Sequence, residues 1–212
     1  MKPQVKPNHY INKSYDTKER FISYWHQINE IMILEPDSIL EIGIGNGLVF
    51  NYLGQRGFKV TTMDIDERLK PDKIGSVLSI PLPDESFEVV ACFEVLEHLP
   101  YKDFPKALNE ISRVSNKYAV LSLPESTRTC RLNIQIPKIG ELKRLIPLPR
   151  LKAPVHEFDG EHYWEIGKAK YSLRNVIGDM QCSGFEIKKI YRPFENPYHR
   201  FFVLAKEKMV GR

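Results

Sequence analysis

Ser38-Ile39-Leu40-Glu41-Ile42 runs directly into Gly43-Ile44-Gly45-Asn46-Gly47, and the join between the two sets the fold class. The first half is a short apolar run of the kind that forms a strand buried on both faces. The second offers three alternating glycines, which let a backbone turn tightly and pass close to a ligand. Leu48 to Arg56 then resumes helical character and stops at Gly57, a residue type suited to ending a helix. The unit therefore reads as strand, glycine turn, helix. Ligands of open α/β sheets bind just beyond the carboxyl ends of such strands.

Downstream, Lys59-Val60-Thr61-Thr62-Met63-Asp64 reads as a second strand, Ile74 to Leu78 as a third and Phe87 to Phe93 as a fourth. Asp103 to Val114 is an amphipathic helix with Leu108, Ile111 and Val114 on one face, and Tyr118 to Leu123 is a fifth strand closed by Pro124. Strands alternating with helices predict a mostly parallel sheet covered on both faces, a doubly wound Rossmann-like α/β fold. Residues 125–170 break this order with prolines 137, 147, 149 and 154, many cations and little periodicity. So long a stretch predicts a lid or acceptor-binding insertion. Order returns with a helix capped by Ser172 and ended by Gly184, followed by strands over Phe185–Tyr191 and Arg200–Lys206. Upstream, a polar arm over 1–15 precedes a helix that starts at Asp16 or Thr17, carries Phe21, Ile22, Trp25, Ile28, Ile31 and Met32, and ends at Pro36-Asp37. We expect one domain over 1–212, with 1–35 as arm and helix and 125–170 as insertion.

Composition limits the classes. With 42% hydrophobic and 27% charged residues, the chain has the makings of a packed core. No stretch approaches the roughly 18 apolar residues that span a bilayer. Met1 to Asn8 lacks the apolar segment of a signal peptide, and three cysteines without metal-type spacing (Cys92, Cys130, Cys182) suggest a reducing cytoplasm. The net charge of +4 is uneven: residues 1–123 carry 14 basic and 17 acidic side chains, and residues 124–212 carry 17 and 10. Lys138, Lys143, Arg144, Arg150 and Lys152 interleave with Ile139, Leu142, Leu145 and Ile146, whose spacing fits one helical face. A solvated lid is the first reading of 138–152, with peripheral contact to an anionic membrane or a phosphate backbone as alternatives.

The chemistry gathers at the strand ends. Asp64 lies 21 residues after Gly43, where a carboxylate can accept both hydroxyls of a ribose, and Ile65 beside it can pack on an adenine face. A dinucleotide enzyme would place its third glycine at position 48, which is Leu48. Together these elements resemble the class I S-adenosylmethionine-dependent methyltransferases, in particular the small type 11 group. The resemblance covers residues 38–124 well and 160–206 loosely. It implies a seven-stranded sheet with an antiparallel last strand. Glu41, Gly43, Gly45, Asn46 and Gly47 are similar to the loop that receives the methionine part of the cofactor, and Asp64 to its ribose-binding acid. Phe87-Glu88-Val89-Val90-Ala91-Cys92-Phe93, followed by Glu94-Val95-Leu96-Glu97-His98-Leu99, resembles the fourth-strand motif, which implies that Cys92 and Phe93 line the pocket. Ser76-Val77 stands where the family usually has an acid and a small apolar residue near the adenine. The expected product of the cofactor is S-adenosylhomocysteine.

An acceptor site is less clearly written. His162, with Ser172 and Gly184-Phe185, fits the family outline of a histidine before the last helix, and is the first choice for an acceptor-site residue; His156 is the second. Glu94, Glu97 and His98 read as caps of the following helix, and for His98 a pocket role weighs equally. His156, Asp159 and His162 match no metal-ligand spacing, so no metal is expected. Nothing after the fourth strand resembles the N-P-P-Y of base methylases, and Asn196-Pro197-Tyr198 reads as a turn, so nucleic acid is disfavoured against a small-molecule or lipid-like acceptor. A non-catalytic cofactor-binding or sensing protein is the alternative, and an NAD-dependent oxidoreductase the third reading.

Overall fold

The glycine turn leaves the middle of a seven-stranded sheet. In the computed structural model, which describes residues 6–10, 12 and 14–207, the strands are β1 (Ile39–Ile42), β2 (Val60–Asp64), β3 (Lys73–Ile74), β4 (Phe87–Phe93), β5 (Ser115–Pro124), β8 (Phe185–Tyr191) and β9 (His199–Lys206). Their order is β3-β2-β1-β4-β5-β9-β8. β1 to β5 are parallel, and β9 runs antiparallel to both of its neighbours, as the sequence led us to expect. The stretch Met1 to Val5, on which the reading of a missing signal peptide largely rests, lies outside the described residues, as do Ile11 and Lys13 of the arm.

Alternation along β4 divides the core. Val90 and Cys92 point to one face of the sheet, where α3 (Phe104–Val114) and α4 (Leu173–Cys182) pack Phe104, Leu108, Ile111, Val176 and Met180. Val89, Ala91 and Phe93 point to the other, against Tyr24 and Ile31 of α1 (Lys18–Leu34) and Val49 and Leu53 of α2 (Leu48–Gln55). The Thr17 hydroxyl caps α1 by accepting from the Arg20 amide, and Ser172 caps α4 by accepting from the Asn175 amide.

Two expectations fail locally. The third strand is only Lys73–Ile74, and the chain then turns through Ser76–Ser79 instead of continuing to Leu78. The Ser76 hydroxyl accepts from the Leu78 amide at 3.2 Å, a local bond that competes with strand pairing. The insertion is not irregular throughout either. β6 (Thr129–Ile136) and β7 (Gly140–Pro147) form a separate antiparallel hairpin. Ile139, Leu142, Leu145 and Ile146 therefore do not share a helical face. Leu142 and Ile146 share one face of β7, Leu145 lies on the other and Ile139 sits in the turn, which the left-handed backbone at Lys138 and Gly140 closes. One face carries Leu132, Ile134, Ile136, Leu142 and Ile146, all substantially exposed. The other is tied down by Arg131, which donates to the Glu195 carbonyl at 2.9 Å, and by Lys143, which donates to the Glu195 carboxylate at 3.0 Å.

The connection from β3 to β4, which carries Ser76 and Val77, is held by one side chain. Arg113 of α3 donates to the carbonyls of Ile80 and Leu82 at 2.9 Å, to Asp84 at 2.6 Å and to Glu110 at 2.8 Å. Arg113→Ala should lower unfolding stability by about 1–3 kcal/mol in denaturant titrations, the range for charged hydrogen bonds with partial solvent screening.

Candidate functional site

At the carboxyl ends of β1, β2 and β4 the backbone and its neighbours enclose a cavity of about 330 Å³. Gly43 leaves β1 at φ +82°, and a Cβ there would lie 2.3 Å from Val95 Cγ2 of the turn after β4. No other residue fits. Gly45 also has positive φ, but its open side faces the Tyr10 ring and Tyr15 hydroxyl at 3.8 Å, so the N-terminal arm roofs the turn. Gly47 opens α2 in the left-handed region.

Asp64 joins β2 to this turn. Its carboxylate accepts from the Ile44 amide at 3.0 Å and from the Asp66 amide at 2.9 Å. Burial raises its pKa, and these amide donors oppose the shift. A carboxylate has about four acceptor positions, so acceptor capacity remains for a ligand. Asn46 donates to Asp16 at 2.9 Å and to the Tyr24 hydroxyl at 3.0 Å, and accepts from the Leu48 amide, tying the loop to α1. Ile65, Ser76, Val77 and Phe93 line the same cavity. Cys92 does not: the parity of β4 turns its fully buried side chain into the α3–α4 core, a correction to the expected pair. Gly47 is likewise not among the lining residues.

Glu41 is the most telling group at this end. It lines the cavity yet is only 4% exposed, and its Oε2 has no hydrogen-bond partner. Burial pushes its carboxyl up to about 8. A second set of ionisable groups lies at the ends of β4 and β9. Glu94, Glu97, His98, His162, Tyr198 and His199 all line the cavity. Glu97 is fully buried, and burial followed by repulsion from Glu94 holds its pKa well above the usual range. Burial alone would lower the His162 pKa, but Glu165 and Asp159 outweigh it and leave it raised. Glu165, paired with His162 and hydrogen-bonded by the Tyr198 hydroxyl at 2.6 Å, is brought down to about 2. The ring nitrogens of His199 lie 2.7 Å from the Ser23 hydroxyl and 3.4 Å from Glu94.

The insertion reaches the cavity only through Glu161 and His162, because the hairpin is anchored elsewhere. The Tyr163 amide donates to the Glu97 carbonyl at 2.9 Å, and the buried Trp164 indole donates to the Leu99 carbonyl at 3.1 Å. Trp164 therefore packs the loop onto the core. His156 is absent from the lining; its Nε2 bonds the His162 carbonyl at 2.9 Å, which makes it a support of the loop. Tyr10, Tyr15 and His199 were not singled out by sequence reasoning, and Tyr198 was read only as part of a turn, whereas all four line the cavity. The tyrosine-rich arm was a faint signal for the first two. Side chains that could hold a metal are Glu97, His98 and His162, and separately Asp159, His162 and Glu165.

A family model described as a methyltransferase domain matches residues 40–122. The ubiquinone biosynthesis O-methyltransferase of Rickettsia bellii is 26% identical over 129 residues, covering 54% of this chain and 50% of that protein. The tRNA U34 carboxymethyltransferase of Nautilia profundicola is 27% identical over 199 residues, covering 84% of this chain and 62% of that protein. The chain thus spans half to three fifths of these relatives. A solved S-adenosylmethionine-dependent methyltransferase of Clostridium acetobutylicum shares the fold with a TM-score of 0.60 at 8% identity, covering 95% of this chain and 96% of its own.

The buried Glu41 has a measurable consequence. Its folded-state pKa lies above the ordinary 4.5, so the stability it permits at low pH is lost as pH rises from 4.5 towards about 8. Glu41→Gln should remove that loss, making the ligand-free protein a few kcal/mol more stable than wild type at pH 8 and little different at pH 4. Thermal melts of both proteins across this range check it.

Proposed function

We propose, from the premise that this chain carries a methyltransferase domain of the class I S-adenosylmethionine-dependent type, that it transfers a methyl group from that cofactor to a small-molecule or lipid-like acceptor. One observation carries the reading: a single cavity is lined by the Gly43–Gly45 turn, Glu41 and Asp64 together with Glu97, His98 and His162. The residues fit the cofactor. The unpartnered Glu41 Oε2 suits the ammonium of its methionine part, and the free acceptor positions of Asp64 suit the ribose diol. Ser76 offers a neutral oxygen for the adenine amino group where related proteins carry an acid, and Ile65 and Val77 offer apolar contact. When bound, the cofactor supplies an electrophilic methyl on a positively charged sulfur.

The chain's part is to hold the reactants in line and exclude water. The arm tyrosines cover the cofactor end, and His162 brings the insertion to the acceptor end. Enclosure favours a small acceptor, as named for the Rickettsia relative, over the tRNA named for the Nautilia one. Three unpaired cysteines suit a reducing compartment such as the cytoplasm. A cofactor sensor without turnover is the alternative.

Calorimetry should show S-adenosylhomocysteine binding, with Asp64→Ala losing on the order of 1.5–3 kcal/mol of affinity through lost charged hydrogen bonds. His162→Ala should leave that affinity nearly intact while depressing turnover about 10²-fold, in acceptor pools screened with labelled cofactor. Absence of S-adenosylhomocysteine binding sinks the assignment; binding without labelled product in any pool favours the sensor.

The hairpin adds a surface. Its apolar face projects from the protein beside Lys138, Arg144 and Arg150, and residues 138–152 carry five cations against one carboxylate. No helix among the described residues is long and apolar enough to cross a membrane, so contact would be peripheral, with an anionic surface worth about 1 kcal/mol per nearby cation. Vesicles containing anionic phospholipid should sediment the protein at low salt, and Ile139→Asp at the turn should weaken this several-fold. Equal sedimentation with purely zwitterionic vesicles would remove the charge argument.

A further inference from the structure

Glu97 has an arrangement that methyl transfer alone does not explain. Its side chain is 0% exposed, and neither carboxylate oxygen has a hydrogen-bond partner. An unpaired buried carboxylate is among the costliest groups a fold can keep, so such a group is normally completed by a charge of opposite sign. His98 Nε2 and His162 Nε2 each lie 4.0 Å from Glu97 Oε1, too far for a hydrogen bond. Oxygen and both nitrogens lie within 4.8 Å of one another and border the cavity.

The far side of each ring fixes which nitrogen faces inward. His98 Nδ1 lies 2.9 Å from the Glu161 carbonyl. A carbonyl only accepts, so Nδ1 carries the proton and, in the neutral ring, Nε2 carries the lone pair. His162 Nδ1 faces Glu165 Oε1 at 3.5 Å, and the Tyr198 hydroxyl holds that carboxylate in turn. Imidazoles backed by a carbonyl or a carboxylate, with Nε2 directed at a common point, are the arrangement that orients histidine ligands around a metal. Tetrahedral ligands at about 2.0–2.2 Å from an ion stand roughly 3.3–3.6 Å apart, so the 4.0 Å separations need only a small inward movement of the rings.

We propose that Glu97, His98 and His162 bind a divalent transition-metal ion whose open positions face the cavity and seat an oxygen of the methyl acceptor. Two imidazoles with one carboxylate suit zinc, manganese, iron or cobalt better than the all-oxygen sites of magnesium and calcium. The set departs from the absence of a metal expected from sequence, where Glu97 reads as a helix cap and His98 as a cap or a pocket residue. It deepens the methyltransferase reading and rests on it for the acceptor: a hydroxyl or enol oxygen is the class that an ion would hold and acidify. His162 then acts through the ion instead of as a proton acceptor. Glu165 is a positioning residue behind it.

Protein stripped with a chelator and titrated with Co²⁺ alone should take up one ion per chain and develop a visible absorption band. Glu97→Gln, which keeps the shape and removes the charge, should abolish the band or weaken binding at least 10-fold, and Glu165→Gln should weaken it about 10- to 100-fold. At alkaline pH, metal-free Glu97→Gln should also melt higher than metal-free wild type, because it removes the cost of ionising a buried carboxyl; a purely structural Glu97 would melt lower on substitution. No band in wild type, or Co²⁺ affinity unchanged in Glu97→Gln, overturns the proposal. Calorimetry of the metal-free protein with S-adenosylhomocysteine separates the two readings. Binding of the nucleoside without a Co²⁺ band removes the metal and leaves the methyltransferase, and a band without nucleoside binding does the reverse.

Discussion

The close approach of Gly43 to Val95 is the constraint on which the site depends. β1 is only four residues long and buried along its length, and its last residue, Ile42, pairs with Cys92 of β4. The two strands therefore end side by side, and the backbone leaving one meets the side chain leaving the other with no space for a Cβ. Because the turn must bend here, the Ile44 amide points back at Asp64 and α2 begins at Gly47. β2 and β4 are thereby placed around the same opening, and all other site residues are delivered to it.

That opening collects acidic groups. Glu41, Glu94 and Glu97 each keep a buried carboxylate oxygen without a hydrogen-bond partner. Arginine is used generously elsewhere, as in the Glu125 pairs with Arg192 and Arg200. Buried charge left uncompensated is costly, and natural folds retain it chiefly where a ligand supplies the missing partner. The stability forgone at these positions is the counterpart of affinity for groups that carry positive charge or donate hydrogen bonds.

The sequence was legible where pattern and geometry have one solution. Residues 38–64 and 87–124 alternate strand and helix with clear periods, and three glycines before a helix leave little choice of turn. The resemblance added the pocket role of Phe93, but it did not resolve the parity that buries Cys92 one residue earlier. Leu142 and Ile146 satisfy a helical and a strand period alike, and Pro137-Lys138-Ile139 lacks the usual two-residue hairpin signature, so the hairpin was hidden. His162 meets Glu97 and His98 only through the fold, because the Tyr163 amide and the Trp164 indole staple the insertion onto the turn after β4. Spacing along the chain carries no trace of that contact.

The place of β9 between β5 and β8 bears on the order in which the molecule can be assembled. Residues 38–124 contain five parallel strands and can begin to condense while the rest of the chain is still being synthesised. The cavity, however, takes Tyr10 and Tyr15 from before that core and Tyr198 and His199 from well after it, with Ser23 of α1 bonded to His199 across 176 residues. A nascent chain released from the ribosome up to β5 would therefore present a sheet with an open edge and an unroofed pocket. Ligand competence arrives last, when β9 slides into the sheet and joins the two ends of the molecule over the glycine turn.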